Sequence, residues 1–229
     1  MARNRLNPWP SVADLFSALT VVAFASLIFV TLGVVIVDDN KRIEIKAGER
    51  LANIFKTEYG AAVGEVSAGA CPDRGNEQCI DIPFRFVPDR SELKRDGVEE
   101  VQQACTIYIG AVDKVLQQMH VENIALERSN LVLVIEGHTD RRIPPGLTGE
   151  RAFLYNWNLS SQRAASVLYQ FSQCGVSGQT GYRITSVGLA DTRQLCTSPE
   201  PNDACHEQNR RITMRIRVEL DNPTAPPKP

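Results

Sequence analysis

The longest apolar stretch of the chain lies near its N-terminus. The 23 residues from Leu15 to Val37 include no charged side chain, and Trp9 precedes them at the place expected for an interfacial aromatic. As a helix this stretch is about 34 Å long, which exceeds the roughly 30 Å of a hydrocarbon core. The pattern therefore predicts a single transmembrane helix over residues 15–37.

Two other kinds of N-terminal segment fit this stretch less well. A cleaved signal peptide has a shorter apolar part and a small-x-small cleavage site, whereas here valines and an isoleucine are followed by two aspartates. A lipoprotein anchor needs a cysteine close behind the apolar part, and the first cysteine is Cys71. We therefore interpret the stretch as an uncleaved signal-anchor helix.

Beyond residue 37 the spacing of apolar positions changes between that of helices and that of strands. Helical spacing predicts helices over 38–60, 93–119 and 158–174. Alternating or continuous apolar runs predict strands over 80–86, 131–135, 182–187 and 212–218. Pro83 predicts that the first of these strands lies at an edge or contains a bulge. The order β-α-β-α-β-β predicts an α/β sandwich whose helices pack on one side of a small sheet.

These elements divide the chain into five segments. We assign them as a cytoplasmic tail and membrane entry (1–14), the transmembrane helix (15–37), a juxtamembrane helix and linker (38–77), a folded domain (78–220) and a tail (221–229). The tail is rich in proline and is predicted to be disordered. The juxtamembrane helix has an apolar stripe that fits either its own domain or a second copy of itself.

Charge and cysteine content indicate the compartment. The formal net charge of −2 argues against a general nucleic-acid binder, which usually has a basic face. All six cysteines follow the apolar stretch, and their even number suits an oxidising compartment. Flanking lysines and arginines give only a weak orientation bias. We therefore predict a single-pass protein of the cell inner membrane with a cytoplasmic N-terminus and a periplasmic domain.

The cysteine spacing favours disulfide bonds over a metal site. Zinc favours closely spaced Cys-x-x-Cys pairs, which this sequence lacks. Two cysteine pairs each close a short polar loop, and the remaining two cysteines then join two predicted helices. The predicted disulfides are Cys71–Cys79, Cys196–Cys205 and Cys105–Cys174.

Three polar segments lie at the ends of predicted elements in the folded domain. They are Glu136-Gly137-His138-Thr139-Asp140, Asn158-Leu159-Ser160-Ser161-Gln162-Arg163-Ala164 and Asn209-Arg210-Arg211-Ile212. Their combination and spacing resemble the OmpA-like peptidoglycan-binding domain over about residues 78–220. The resemblance implies an OmpA-like α/β sandwich that binds the diaminopimelate residue of the peptidoglycan stem peptide.

The resemblance also implies roles for individual residues. Diaminopimelate presents an ammonium and a carboxylate on one carbon, and these groups would bind Asp140 and Arg163 respectively. Arginine suits this role because it forms planar, often bidentate pairs with carboxylates. Matching of the motifs adds four further residues to the pocket, namely Thr139, Asn158, Leu159 and Arg211. The loop 141–156 contains two consecutive prolines and departs from the family pattern at the pocket rim.

Purely structural roles are the alternative for these residues. Asn158 or Ser160 fits a cap of the predicted helix, and Arg163 fits a pair with Asp140 that only holds loop to helix. The adjacent Arg210 and Arg211 fit a solvated strand face.

No catalytic site is predicted. His138, Asp140 and Ser160 supply the residue types of a triad, but the sequence has no Gly-x-Ser-x-Gly elbow and no evident oxyanion loop. The other histidines, His120 and His206, are not at metal-ligand spacing from His138. We therefore expect a binding module, not an enzyme, without a metal or a cofactor.

Asp14 lies at the start of the predicted membrane helix. The spacing Ser11-x-x-Asp14 fits a capping box, and a carboxylate is favoured at a helix N-terminus. The alternative places Asp14 about one turn inside the bilayer. There the neutral form is favoured, so the side chain can take up and release a proton. Ser17 and Thr20 would offer polar contacts to a partner in the same region.

The segment Pro8-Trp9-Pro10-Ser11-Val12-Ala13-Asp14-Leu15, one span and an OmpA-like domain together resemble the B subunits of ion-driven stator motors. This MotB-like family includes the flagellar stator and the Zorya anti-phage defence motor. The resemblance implies that Asp14 carries the ion, supported by Ser17 and Thr20. It also implies a homodimer inside a ring of five multi-span A-type subunits, which ion flow rotates about the peptidoglycan-anchored pair.

The predicted function is therefore a peptidoglycan-anchored B subunit of a proton-driven rotary motor. A compact, cysteine-rich chain favours a Zorya-like motor over a flagellar-type stator subunit, whose relatives carry a longer linker and few cysteines. A passive tether between inner membrane and peptidoglycan, without motor activity, is the other alternative.

Overall fold

The computed structural model describes residues 9–87, 90–198 and 202–220. Most of the predicted N-terminal tail and the whole Pro-rich tail lie outside the described residues, and so does the Ser11 side chain of the capping box. The chain divides into two compact units, Met1–Ile43 and Glu44–Pro229. The second unit thus begins well before the predicted domain boundary at residue 78.

The first unit contains the whole apolar stretch in the form of a helix. This helix, α1, runs over Trp9–Ala62 and continues into the second unit. The large apolar side chains between Leu15 and Val37 are each more than half exposed. Among the described residues, α1 is the one helix that is long and apolar enough to cross a membrane. Such an apolar surface requires cover by lipid or by another protein.

In its described residues the second unit contains the end of α1, three further α-helices and five β-strands. The helices are α2 (Arg95–Val121), α3 (Gly149–Gln173) and α4 (Asp203–Asn209). The strands are β1 (Ser67–Cys71), β2 (Arg74–Ile82), β3 (Leu131–Gly137), β4 (Arg183–Gly188) and β5 (Ile212–Val218).

The five strands form one mixed sheet in the order β1-β2-β5-β3-β4. Only β3 and β4 are parallel neighbours, because α3 forms the crossover between them. In the antiparallel part, Met214 is opposite Ile80 on one side and Ile135 on the other. Since successive side chains of a strand point to opposite faces, this register gathers the apolar residues on a single face of the sheet.

Three helices cover the apolar face. The end of α1 lies over β2 and β5, where a Cβ added at Gly48 would contact the side chains of Gln78 and Val218. α3 packs on β3 and β4, and the rings of Tyr108 in α2 and Phe171 in α3 lie 6.2 Å apart. Phe55 of α1 is fully buried. The apolar stripe of α1 therefore packs on its own unit, one of the two alternatives left open by the sequence.

The fold class is confirmed as an α/β sandwich with its helices on one side of the sheet, although several predicted elements differ in detail. β1 and α4 were not predicted. The first predicted strand, 80–86, is β2, which ends before Pro83. The predicted edge position is wrong, because β1 lies outside this strand. The alternative of a bulge at Pro83 is wrong as well, because Pro83 only follows the end of β2, and the register irregularity with β1 lies between Ala70 and Cys71.

The second predicted helix of the domain begins much earlier than expected. α3 starts at Gly149, so half of the predicted loop 141–156 is helical. The cap role considered for Asn158 or Ser160 is therefore wrong, because both residues lie inside α3 rather than at its first turn.

Three disulfides link these elements. Cys71–Cys79 closes the turn between β1 and β2, Cys105–Cys174 joins α2 to the end of α3, and Cys196–Cys205 joins a loop to α4. Their Cα–Cα distances are 5.0, 6.6 and 5.3 Å, within the range that a disulfide spans. These are the three predicted pairs, two of them from local spacing and the third, Cys105–Cys174, as the remaining pair.

Candidate functional site

The loop after β3 carries the Gly-His-Thr-Asp motif and is bonded to two other segments. The backbone N–H of His138 donates to the carbonyl of Arg211 at 3.0 Å, and that of Thr139 donates to the carbonyl of Ala190 at 2.9 Å. The loop is therefore fixed between the turn that follows β4 and the start of β5. Binding residues often lie on loops that a rigid scaffold holds in this way.

Two glycines allow α3 to approach the ends of β3 and β4. A Cβ on Gly137 would lie 2.0 Å from the carbonyl oxygen of Ser160, and a Cβ on Gly188 would lie 2.2 Å from Oγ of Ser161. Ser160 Oγ also accepts the backbone N–H of Ala190 at 3.0 Å. The motif glycines are thus needed for close packing. They allow α3 to lie against the ends of β3 and β4, so that its own motif residues lie near the loop after β3.

Asp140 is 6% exposed and forms hydrogen bonds with two arginines. Its Oδ2 accepts Nε of Arg142 at 3.0 Å and Nη1 of Arg210 at 2.6 Å, and its Oδ1 accepts the backbone N–H of Arg142 at 3.0 Å. Burial raises the pKa of Asp140, but the hydrogen bonds from Arg142 and Arg210 outweigh this effect and hold the pKa below its usual 3.8. The carboxylate is therefore charged at neutral pH.

Arg163 lies on α3 and is 5% exposed. Its Nε donates to the carbonyl oxygen of Arg90 at 3.0 Å, and its Cζ lies 5.0 Å from the centroid of the Phe86 ring. The ring and the carbonyl hold the guanidinium in one orientation, since a cation is attracted to an aromatic face at this distance.

The two charged residues line one cavity of about 760 Å³. Four of the six predicted pocket residues line it, namely Thr139, Asp140, Leu159 and Arg163. The hydroxyl of Thr139 is buried and has no hydrogen-bond partner among the described residues. A cavity of this size suits a peptide-sized or drug-sized ligand.

The structure does not bring the other two predicted pocket residues, Asn158 and Arg211, to the cavity. Asn158 is exposed, and Asn156 lines the cavity instead, with its Nδ2 donating to the carbonyl of Asp140 at 3.1 Å. Residues 156, 159 and 163 have the spacing of one helix face, from which residue 158 is excluded.

Arg211 lies on the opposite face of the sheet from the cavity. Its Nε donates to Oδ1 of Asp81 at 2.9 Å, and its Nη2 donates to the carbonyl of Arg193 at 3.1 Å. The neighbouring Arg210 lines the cavity in its place. The alternation of side chains along β5 could have predicted this difference. Residue 211 is two positions from Thr213 and four from Arg215, so its side chain lies on the same face of the sheet as these polar residues.

The short helix α4 forms one wall of the cavity. It is joined to the segment that follows β4 by Cys196–Cys205. Asn209 accepts the backbone N–H of Cys196 at 3.1 Å and donates to the carbonyl of the same residue at 2.9 Å. Nδ1 of His206 lies 3.6 Å from Oδ2 of Asp140. The disulfide and Asn209 therefore hold α4 in place, and this positions both His206 and Arg210 beside Asp140.

Two residues that resemble members of a catalytic triad have structural partners. The Ser160 hydroxyl donates to the carbonyl of Trp157 at 3.0 Å and accepts from Ala190. His138 is buried, and its Nε2 lies 3.7 Å from Oε2 of Glu136. Within the described ranges, no group of three or more His, Cys, Asp or Glu side chains is placed to hold a metal ion.

The predicted ion-pathway residues lie on α1 in the first unit. Ser17 and Thr20 line a shallow groove together with apolar side chains that include Phe16 and Phe24. Thr20 Oγ1 donates to the carbonyl of Phe16 at 2.8 Å, a bond that satisfies the hydroxyl within the helix. Asp14 is exposed, and its spacing of three residues from Ser17 places both on one helix face.

Comparisons with known proteins support the fold. No family model and no curated protein matches the sequence. Among solved structures, a MotB-like protein from Desulfovibrio vulgaris has a TM-score of 0.53 at 20% identity, over 78% of this chain and 99% of that chain. The cell wall anchor of the T6SS from Pseudomonas aeruginosa has a TM-score of 0.47 at 20% identity, over 74% and 98%. The periplasmic domain of Helicobacter pylori MotB (residues 90–256) has a TM-score of 0.45 at 13% identity, over 63% and 75%. The first of these similarities identifies the fold, and the two weaker ones add no support. This chain is a mixed α/β domain of OmpA-like type with a five-stranded sheet, preceded by a long apolar N-terminal helix.

Proposed function

We propose that this chain is the peptidoglycan-anchored B subunit of a proton-driven rotary motor of the inner membrane. The observation that carries the proposal is the cavity in which buried Asp140 and Arg163 lie within one OmpA-like unit. Opposite charges that are held on separate elements of one cavity suit a ligand with both an ammonium and a carboxylate. The diaminopimelate residue of peptidoglycan has both groups on one carbon.

The cavity can bind such a ligand without large rearrangement. Among the described residues, Asp140 Oδ1 accepts one backbone N–H, and a carboxylate oxygen has room for a second donor such as an ammonium. Arg163 is oriented by the Arg90 carbonyl and the Phe86 ring, so little side-chain entropy is lost when it binds a carboxylate.

The first unit supports the motor part of the proposal. Its apolar side chains are exposed along the whole stretch from Leu15 to Val37, and one helix alone cannot enclose an ion path. A multi-span A-type partner would cover this surface and enclose Asp14, which would then take up and release protons. By analogy with the stator family, five such partners would surround two copies of this chain.

Binding to isolated cell-wall sacculi tests the anchoring role. The full chain in detergent is expected to sediment with sacculi, and Arg163→Ala is expected to reduce the bound fraction about tenfold or more, because a charged hydrogen bond is lost. Arg128→Ala is the matched control, since this arginine lies outside the cavity and pairs with Asp113. Non-reducing mass spectrometry that finds Cys196 joined to Cys205 verifies that the cavity wall is formed. Equal sedimentation of Arg163→Ala and the wild type would refute wall binding through this cavity.

Proton flux in membrane vesicles tests the motor role against the passive tether. The chain is co-expressed with the multi-span protein with which it co-purifies, and Asp14→Asn is expected to abolish proton flux while membrane insertion and wall binding persist. Asp38→Asn is the control, because this acid lies beyond the apolar stretch and pairs with Arg42 at 2.9 Å. Undiminished flux in Asp14→Asn, or the lack of any co-purifying multi-span protein, favours the tether.

We further propose that the motor is of the Zorya anti-phage type. The compact chain with three disulfides supports this assignment over a flagellar stator. Cells that carry the system should lose protection against phage, and keep their motility, when Asp14→Asn is introduced. Loss of motility without loss of protection would assign the chain to a flagellar-type stator.

A further inference from the structure

Arg142 occupies the carboxylate of Asp140, which is the proposed partner of the ligand ammonium. Its Nε donates to Oδ2 of Asp140 at 3.0 Å, its Nη2 lies 2.9 Å from the same oxygen, and its backbone N–H donates to Oδ1 at 3.0 Å. Nη1 of Arg210 adds a further guanidinium donor to Oδ2 at 2.6 Å. Since a carboxylate oxygen has two lone pairs, Oδ2 is saturated, and Oδ1 retains one position for a ligand.

This arrangement disfavours the binding of an ammonium to Asp140. At the free position of Oδ1 the ammonium would lie beside the Arg142 guanidinium, and two like charges on one carboxylate repel each other. Arg142 also lines the cavity in which the ligand would bind. The ligand ammonium and Arg142 therefore compete for the same negative charge.

A second acid offers Arg142 another partner. Nη1 of Arg142 lies 3.4 Å from Oδ1 of Asp203, which is on α4 and whose side chain is 93% exposed. The Arg142 side chain is itself 51% exposed, so it has room to rotate toward Asp203. The backbone of the loop stays in place, because Nδ2 of Asn156 donates to the carbonyls of Asp140 and Arg142 at 3.1 and 3.4 Å. Release of Asp140 thus requires the movement of one side chain.

We infer that Arg142 is an internal competitor of the ligand, which closes the cavity by pairing with Asp140 and opens it by moving to Asp203. The inference rests on the proposed wall-binding function and adds a control of its affinity. The ligand ammonium replaces Arg142 on Asp140, while Arg210 remains bonded and keeps the carboxylate in position. The apparent affinity for the wall is then the intrinsic affinity reduced to the fraction of molecules that are open.

Removal of the Arg142 charge tests the competition. The full chain in detergent is sedimented with isolated sacculi, and the dissociation constant is measured. Arg142→Met is expected to bind about three- to tenfold more tightly than the wild type, which corresponds to an open fraction of roughly a tenth to a third. Arg141→Met is the matched control, because this neighbouring arginine carries the same charge and lies 3.9 Å from Asp191 instead. It should bind as the wild type does.

The outcomes separate this inference from the proposed function. Equal or weaker binding of Arg142→Met overturns the inference, while sedimentation of the wild type in the same experiment upholds wall binding. A gain that Arg141→Met shares overturns the inference too, because it would follow from net charge alone. If neither the wild type nor Arg142→Met sediments with sacculi, the proposed function and the inference both fail.

A double-mutant cycle tests the alternative partner of Arg142. Asp203→Asn deprives Arg142 of its second acid and is expected to weaken wall binding about two- to fivefold, the range of an exposed ion pair. In the Arg142→Met background the same change should have no effect, since no guanidinium remains to move between the two acids. An equal loss in both backgrounds, or no loss in either, would overturn the exchange of Arg142 between Asp140 and Asp203.

Discussion

Both faces of the sheet are buried, but different kinds of interaction stabilise them. On one face, apolar side chains of β2, β3 and β5 pack against α1, α2 and α3, and Phe55, Ile80 and Met214 are completely buried. On the other face, Arg215 of β5 lies between Glu77, at 2.9 Å, and Glu136, at 2.7 Å. All three of these charged side chains are almost completely buried.

Because side chains alternate along a strand, the same strands place apolar residues on one face of the sheet and charged residues on the other. Apolar burial is favourable in proportion to area and is not directional. A buried ion pair instead carries a desolvation penalty that only good geometry and further partners offset. Here the further partners come from surface segments, because Arg193 reaches both Glu136 at 3.3 Å and Asp73 at 2.9 Å. The charged face therefore fastens loops to the sheet, whereas the apolar face fastens helices.

The largest effect is expected from a substitution that leaves an empty space among the buried side chains of the apolar face. Phe55→Ala removes a fully buried ring that stacks on Tyr59 at 5.4 Å, and it should lower the free energy of unfolding by about 3–5 kcal/mol. Phe153→Ala is the matched control, since this ring is 65% exposed, and it should change stability by less than about 1 kcal/mol. Urea denaturation followed by circular dichroism measures both. Similar losses in the two variants would contradict the assignment of α1 to the core.

A slightly smaller loss is expected on the charged face. Arg215→Met leaves Glu77 and Glu136 buried without their shared cation, which should lower the free energy of unfolding by about 3 kcal/mol. Adding Glu136→Gln to Arg215→Met should cost less than the two single losses combined, because the second change removes an already uncompensated charge. Strict additivity in a double-mutant cycle would show that the three side chains do not act as one network.

Close packing at the cavity edge of the apolar face predicts the third effect. Gly137→Ala pushes a Cβ into the Ser160 carbonyl and should destabilise the fold by about 1–3 kcal/mol while weakening wall binding, since α3 must move. Gly110→Ala is the control, because an added Cβ in this helical position meets no atom within 4 Å. That variant should be more stable by about 0.5–1 kcal/mol. Thermal denaturation that ranks the two variants in the opposite order would contradict the packing of α3 on β3.

Where a pattern was strong, the elements could be predicted from the sequence. The continuous apolar run of β3 and the alternation of β5 identify both strands, since each is a long regular signal. β1 lacked such a signal because its residues, Ser67-Ala-Gly-Ala-Cys71, are mostly small and adopt strand geometry through pairing with β2. α4 is only seven residues long and depends on a disulfide and on Asn209, neither of which produces apolar periodicity.

The candidate site was predictable to within one or two positions. Asp140 and Arg163 were found through their motifs, and the structure places both on the cavity. The misplaced residues, Asn158 for Asn156 and Arg211 for Arg210, came from matching motif letters without applying the periods of 3.6 and 2. The pairing of Asp140 with Arg142 could not be predicted, because it depends on how the loop after β3 folds back on itself.

The smallest effect expected is the pH dependence that His138 and Glu136 of the charged face contribute to stability. Burial lowers the pKa of His138 below its usual 6.5, although the neighbouring Glu136 opposes the shift. Burial raises the pKa of Glu136, but His138, Arg215 and Arg193 outweigh it and hold the pKa below 4.5. As the pH falls below 6.5, the unfolded chain takes up a proton at His138 that the folded chain refuses. The free energy of unfolding should therefore fall by at most about 1.4 kcal/mol per pH unit, and a second fall should begin near pH 4.5 as Glu136 contributes.

The variant His138→Asn separates these two steps. Without the His138 imidazole, it should lose the slope that this group contributes between pH 6.5 and pH 5 and keep the steeper fall at lower pH. Thermal midpoints of the wild type and the variant, measured from pH 4 to pH 8, test the difference. Parallel curves over the whole range would mean that His138 accepts its proton equally well in the folded chain. In that case the burial of the His138 imidazole beside Glu136 would not be the cause of the pH dependence of stability.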